Sequence, residues 1–134
     1  MGAFVKAGSG GLKDPQNIAF APDGTLYVGG APGVLEYSKT GAFKRVFAAH
    51  GAHLSNIGGL TFGPDSNLYV GDWQKSDVVR YNARTAVFLG VFVPPTSGLM
   101  YNRYILFGPK GGGGTSPVMA AAACSKRMKA MQAA

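Results

Sequence analysis

Along residues 17–93, apolar and polar side chains alternate in short runs, and Gly, Pro, Asp, Asn and Ser fill the gaps. Alternation with period 2 over a few residues marks a half-buried β-strand. Residues 17–21, 26–29, 34–37 and 42–47 read as four strands. Ala21-Pro22-Asp23-Gly24 makes a tight turn between the first two, with Pro presetting φ and Gly accepting φ > 0. Ser38-Lys39-Thr40-Gly41 makes another between the last two. Tyr27 and Val28 suit a pleated, half-buried surface. The pattern then restarts: residues 59–63, 68–72, 78–82 and 87–93 read as four more strands.

The second set copies the first. Phe20-Ala21-Pro22-Asp23-Gly24-Thr25-Leu26-Tyr27-Val28-Gly29 recurs 42 residues later as Phe62-Gly63-Pro64-Asp65-Ser66-Asn67-Leu68-Tyr69-Val70-Gly71. Val34-Leu35-Glu36-Tyr37 recurs as Val78-Val79-Arg80-Tyr81, and Phe43-Lys44-Arg45-Val46-Phe47 as Phe88-Leu89-Gly90-Val91-Phe92, at offsets of 44 and 45. A third copy starts at Tyr104-Ile105-Leu106-Phe107-Gly108-Pro109, and Phe4-Val5 matches Phe92-Val93, so the chain reads as starting inside a last strand. Four strands in 42–45 residues is the period of a propeller blade. The predicted fold class is therefore all-β: blades of four antiparallel strands in an incomplete propeller, since closure takes about four to eight blades. Residues 1–109 hold the repeats (about 4–47, 48–93 and a partial 94–109). Residues 110–134 do not follow them.

The pattern Phe-(Ala/Gly)-Pro-Asp, then Leu-Tyr-Val-Gly, then Val-x-x-Tyr and Phe-x-x-x-Phe, resembles NHL-type repeats. More broadly it is similar to six-bladed propellers of the gluconolactonase and streptogramin-lyase type. The resemblance covers roughly residues 2–109 and rests on structural residues. It implies that Phe20, Phe62 and Phe107 fill the gaps between blades and that Tyr27 and Tyr69 are core positions. Such families are often extracellular and place ligands on the face where the central channel opens. A divalent metal is implied only by this resemblance, and the family's usual central Glu is not identifiable: Glu36, the only Glu, falls mid-strand. The missing blades leave open a fragment of a longer protein, a truncated gene product, or several chains sharing one ring.

Composition sharpens this outline. Hydrophobic residues make up 46% and charged residues 14%, which argues for a packed core over a disordered chain. Gly and Pro, 21 and 8 residues, argue against a helical bundle. No apolar run approaches membrane-span length. The net charge is +7. Residues 110–134 hold four of the 13 cations (Lys110, Lys126, Arg127 and Lys129) and no acid, so residues 1–109 carry nine cations against six acids. No basic stripe interleaves with aromatics in the repeats, so nucleic acid is not an expected partner. Cys124 stands alone, which excludes an internal disulfide and a Cys-based zinc site. The start lacks the pattern of a secretory signal and of a myristoylation site. Three readings compete for the Gly/Ala-rich basic tail: a loose or weakly helical tail, which is favoured; a short helix over 118–133, started by Ser116-Pro117 and covering the open sheet edge; and a membrane-surface helix. Gly111 to Gly114 is followed by no Lys-Ser/Thr pair, so it is not a phosphate loop.

Candidate chemistry gathers in two loops. The d-to-a connection carries His50 and His53, the only histidines; the longer b-to-c loop carries Asp72, Trp73, the only tryptophan, and Lys75. In a blade these loops share one rim. His50, His53, Asp72, Trp73 and Lys75 are thus the candidate ligand residues, for a sugar, lactone or peptide, with His as acid/base or metal ligand. The plainer reading is a polar loop whose Asp72 accepts hydrogen bonds from backbone amides. A metal site needs three or four converging ligands, and His50-x-x-His53 supplies two. Pro22-Asp23-Gly24 and Pro64-Asp65-Ser66-Asn67 lack calcium-loop spacing and read as turns. No catalytic residue can be assigned. The functional expectation is a recognition module binding a protein, copies of itself, or a small ligand; the alternative is part of a lactonase- or lyase-like enzyme.

Overall fold

A computed structural model describes residues 2–51, 53–108, 119–123 and 131–133, the last two stretches as backbone only. The chain is all-β. Strands β1 (Lys13–Phe20), β2 (Leu26–Ala31), β3 (Gly33–Tyr37) and β4 (Phe43–Ala49) form one antiparallel sheet in chain order. Strands β5 (Ile57–Phe62), β6 (Leu68–Asp72), β7 (Asp77–Tyr81) and β8 (Phe88–Val93) form a second, also in order. A third sheet has β9 (Asn102–Phe107), β10 (Met119–Ala123) and β11 (Met131–Ala133). The sheets do not close on one another among the described residues.

The repeat is reproduced pair by pair. Ile18 lies opposite Val28 and Phe20 opposite Leu26; 42 residues on, Leu60 lies opposite Val70 and Phe62 opposite Leu68. Tyr37 faces Phe43 across β3 and β4 as Tyr81 faces Phe88 across β7 and β8, with the irregularities at matching places. The turns match too. Gly24 accepts φ 89° in the first copy, and Ser66 takes φ 62° in the second. In each, an Asp carboxylate accepts the amide two residues on: Thr25 N donates to Asp23 at 2.8 Å, and Asn67 N to Asp65 at 3.2 Å.

Period-2 alternation gives each sheet two apolar faces, so the cores lie between sheets rather than within one. Tyr27 and Phe47 of the first sheet pack with Leu60, Leu68, Val70, Val79 and Tyr81 of the second, and with Leu54 from the loop between them. Tyr69, Val78 and Val93 on the far face of the second sheet pack with Leu99, Ile105 and Phe107 of the third unit. Each interface holds one tyrosine wedged edge-on between two phenylalanines. Tyr27 sits 5.1 Å from Phe47 and 5.2 Å from Phe62; Tyr69 sits 5.0 Å from Phe92 and 4.8 Å from Phe107. Gly59 permits the second approach, since a Cβ there would lie 2.7 Å from the Ile105 nitrogen. Phe62 and Phe107 therefore fill gaps between sheets, whereas Phe20 is 56% exposed.

Two expectations about the ends change. Phe4 and Val5 form no strand; Val5 and Leu12 pack on the outward face of the first sheet against Leu26, Val28, Leu35 and Tyr37. The Tyr37 hydroxyl holds this segment by donating to the Ser9 carbonyl at 2.7 Å. In the tail, residues 119–123 and 131–133 are extended, not helical: β10 pairs with β9, and β11 with β10. The reason is the free ladder of β9, whose backbone groups need partners that a separate helix would not supply. Cys124, the basic cluster 126–129 and the Gly run 111–114 lie outside the described residues.

Candidate functional site

The loops at one end of the sheets meet over a polar cavity of about 290 Å³. All three sheets contribute: Asp14 and Gln16 from β1, His50 and Asn56 from the loop after β4, Trp73 from the loop after β6, and Arg103 from β9. The guanidinium of Arg103 lies 5.4 Å from the Trp73 ring centroid, and Tyr101 stacks on the same indole at 6.4 Å. Asn17 ties the first sheet to the third by donating to the Arg103 carbonyl at 3.3 Å. An indole, a guanidinium and an imidazole around a small space form a surface suited to a compact polar ligand.

Of the five sequence candidates, His50 and Trp73 line this cavity, and His53, Lys75 and the Asp72 side chain do not. Asp72 is fully buried beneath the loops and accepts the amides of Ser55, Asn56, Gln74 and Lys75. One carboxylate thus fixes both the loop before β5 and the loop after β6, and it holds Trp73 in place. Asn56 and Gln74 add a side-chain hydrogen bond between the same loops. His53 stacks flat on Phe88, with centroids 3.7 Å apart, beside the core between the first two sheets. Arg103 was missed, although a signal existed: Gln16, Gly58 and Arg103 occupy one position in the three copies, at the inner end of each first strand.

Beside this cavity lies an unbalanced buried pair. Asn102 is fully buried and donates to the Asp77 carbonyl at 2.6 Å, while Asn102 Oδ1 and Asp77 Oδ1 have no hydrogen-bond partner. Burial, and then the charge of Asp72, push the Asp77 carboxyl above its ordinary value, against a smaller opposite pull from Lys75.

A groove of about 540 Å³ opens between the first two sheets at their other end, where the β1–β2 turn lies. Glu36, 4% exposed, is its centre: Lys44 and Arg45 bond its two oxygens at 2.9 and 2.6 Å. Burial raises the Glu36 carboxyl, but the hydrogen bonds from Lys44 and Arg45, and their charges, outweigh it and hold it below the usual range. Arg45 also donates to the Arg84 carbonyl, and the Tyr27 hydroxyl to the Ala83 carbonyl, which bridges the sheets. Glu36 is thus a structural clamp. Among the described residues no group of three His, Cys, Asp or Glu is placed to hold a metal, and no helix is long and apolar enough to cross a membrane.

The apolar surface is as telling as the polar one. A groove of about 510 Å³ on the outward face of the first sheet is lined by Phe4, Val5, Leu12, Ile18, Phe20 and Val28, among others. Ile18 and Phe20 are 53% and 56% exposed. At the opposite end of the stack, Tyr104 and Leu106 of β9 are also exposed.

No family model matches the chain, and no curated protein sequence does. Solved structures do match in fold. Sqt1 of Saccharomyces cerevisiae is similar over 81% of this chain and 28% of its own, with a TM-score of 0.56 and 17% identity. The major allergen Mala s 1 of Malassezia sympodialis is similar over 80% of this chain and 34% of its own, with a TM-score of 0.56 and 20% identity. The chain therefore spans about a third of the length of these structures, and at such identity the likeness concerns the fold alone. These findings overturn the resemblance to NHL-type repeats and to gluconolactonase- or streptogramin-lyase-like propellers. The residues behind it, Phe, Pro, Asp, Leu-Tyr-Val and Gly, are those that stacked four-stranded sheets need for turns and cores, so they carry no family. What the fold defines is a class: an all-β chain built from repeated, stacked antiparallel sheets.

Proposed function

We propose that this chain is a recognition module: a partial stack of blade-like sheets over residues 1–109, followed by the tail 110–134, that binds protein through the open face of its first sheet. One observation carries the reading. Ile18, Phe20, Leu26, Val28, Leu35 and Tyr37 on that face correspond, residue for residue, to Leu60, Phe62, Leu68, Val70, Val79 and Tyr81, which pack against the first sheet. Val5 and Leu12 help cover Leu26, Val28, Leu35 and Tyr37, but Ile18 and Phe20 stay 53% and 56% exposed beside the apolar groove. An exposed apolar patch of this kind marks an interaction surface. The test is binding of the dye 1-anilinonaphthalene-8-sulfonate to dilute protein. Dye fluorescence should be lost in the Ile18→Asp/Phe20→Asp variant with its circular dichroism unchanged. Equal dye binding by that variant removes the reading.

A second reading is favoured by the meeting of three sheets at one cavity: a small polar ligand held between Trp73, Arg103 and His50. Trp73 is the only tryptophan, so its fluorescence reports the cavity directly. Titration with simple sugars and with short peptides should give one saturable change that Arg103→Ala abolishes. A change that survives Arg103→Ala places the ligand elsewhere.

A further inference from the structure

We infer that the occupant of the open face is a second copy of this chain, docked head to tail, with Tyr104 and Leu106 of one copy covering Ile18 and Phe20 of the next. The inference rests on the reading of that face as a protein-binding surface.

The two internal interfaces supply the rule. In each, the following sheet offers an apolar pair two residues apart on its first strand: Leu60 and Phe62, then Ile105 and Phe107. The loop before that strand adds a leucine six residues upstream, Leu54 and then Leu99. The outward face of the first sheet has every part of this half: the pair Ile18 and Phe20, and Leu12 six residues before Ile18, packed on Leu26 and its neighbours. Phe4 lines the same groove, at the sequence position matched by Phe92 in the interface between the second and third sheets. What this groove lacks is the aromatic ring that Tyr27 and Tyr69 insert between two phenylalanines.

The complementary half lies at the other end of the same molecule. The residue of the first strand that faces the following sheet is Ala19 in the first copy, which packs against the interface core, and Thr61 in the second; Leu106 is the third of this series. It is 55% exposed, and Tyr104 beside it is 61% exposed. Among the described residues, each chain thus has one unmatched acceptor face and one unmatched donor face. Tyr104 stands on the first strand, at the position of Asn17 and Gly59 and not at that of Tyr27 and Tyr69, and it is the exposed ring that this end offers to the groove between Phe4 and Phe20. Because the two halves differ, the contact is heterologous: copies add in one direction until a ring closes. The chain is strongly basic, with a net charge of +7, so the attraction is apolar and salt strengthens it by screening the like charges.

Sedimentation velocity over about 1 to 100 µM, where mass action separates monomer from assembly, tests this. Wild type should form species larger than a dimer as concentration rises, and more readily at high salt. Ile18→Asp and Leu106→Asp, both at solvent-facing positions that tolerate charge in the monomer, should each stay monomeric alone. Mixed in equal amounts they should form dimers and nothing larger, because one variant keeps a working donor face and the other a working acceptor face. A wild type that stays monomeric throughout overturns the inference. So does a Leu106→Asp variant that still forms dimers, which is face-to-face pairing, and so does a mixture without dimers. If wild type is monomeric while dye still marks the Ile18 face, the second copy falls and the protein-binding reading stands. If the dye ignores Ile18→Asp/Phe20→Asp, the reading itself falls.

Discussion

The two faces of the first sheet make the clearest contrast in the molecule. The face carrying Tyr27 and Phe47 is closed by the second sheet, with Leu60 reduced to 5% exposure. The face carrying Ile18, Phe20, Leu26 and Val28 is built to the same plan but is closed only in part, by Val5 and Leu12. The side chains of this outward face match, residue for residue, those of the second sheet that close the other side. Burial therefore depends on what lies next to the sheet and not on the strand pattern itself. A repeat protein gains most of its stability from such neighbour contacts.

The largest effect should separate the closed position from its open counterpart. Leu60→Ala should cost about 3 kcal/mol, because it removes buried methyl groups and leaves a cavity. Ile18→Ala, at the matching open position, should cost less than about 1 kcal/mol in dilute monomer. Urea denaturation of both variants measures the difference, and equal losses would break the contrast.

A smaller effect should come from the clamp between the first two sheets. Glu36→Gln leaves Lys44 and Arg45 without their carboxylate and should cost about 2 kcal/mol at neutral pH. The Glu36 carboxyl is held below its ordinary value, so its charged form stabilises the fold. That contribution is present above the ordinary carboxylate range and is lost as pH falls through the lowered value. The gap between wild type and Glu36→Gln in thermal melts should therefore close in acid. A gap independent of pH would count against the clamp.

Asp77 should behave in the opposite sense. Its carboxyl is raised, so the protonated form suits the fold and stability is lost as pH rises through the raised value. Asp77→Asn should be more stable than wild type at neutral pH by about 1 kcal/mol, with the gain vanishing below the carboxylate range. The smallest effect belongs to the turns. Ser66 holds φ 62° where the first copy has Gly24, and Ser66→Gly should add about 0.5 kcal/mol by relieving that strain. A loss of stability in melts of Ser66→Gly would show that the serine is unstrained.

Much of the fold was legible in the residues because strands and turns are local. The eight strands of the first two sheets, and their repeat, follow from period-2 alternation and from Pro-Asp-Gly-type turns. The third sheet was only half visible. β9 repeats β1 and β5, but β10 is mostly alanine, which has no strand preference, and its pairing is set by the free edge of β9. The candidate site was legible only as far as its loops. His50 and Trp73 fall on neighbouring loops and meet. His53 is a few residues from His50, yet its ring stacks on Phe88, because a loop turns successive side chains to different sides. Gln16 and Arg103 share a position in the repeat, but that they meet Asp14 at one cavity follows from sheet-on-sheet placement, which no local pattern contains. Asp72 is fixed by four backbone amides, two of them from the loop after β4, and its carboxylate is spent on holding loops.

The central claim, that one design is closed on one side of the first sheet and open on the other, is tested most directly by thiol labelling. On a Cys124→Ser background, Ile18→Cys and Leu60→Cys place one thiol at each matching position. The thiol at 18 should react with a maleimide at the free-thiol rate in dilute protein and slow as protein concentration rises, while the thiol at 60 should react only on unfolding. Equal labelling at the two positions, or protection of position 18 at every dilution, would contradict it.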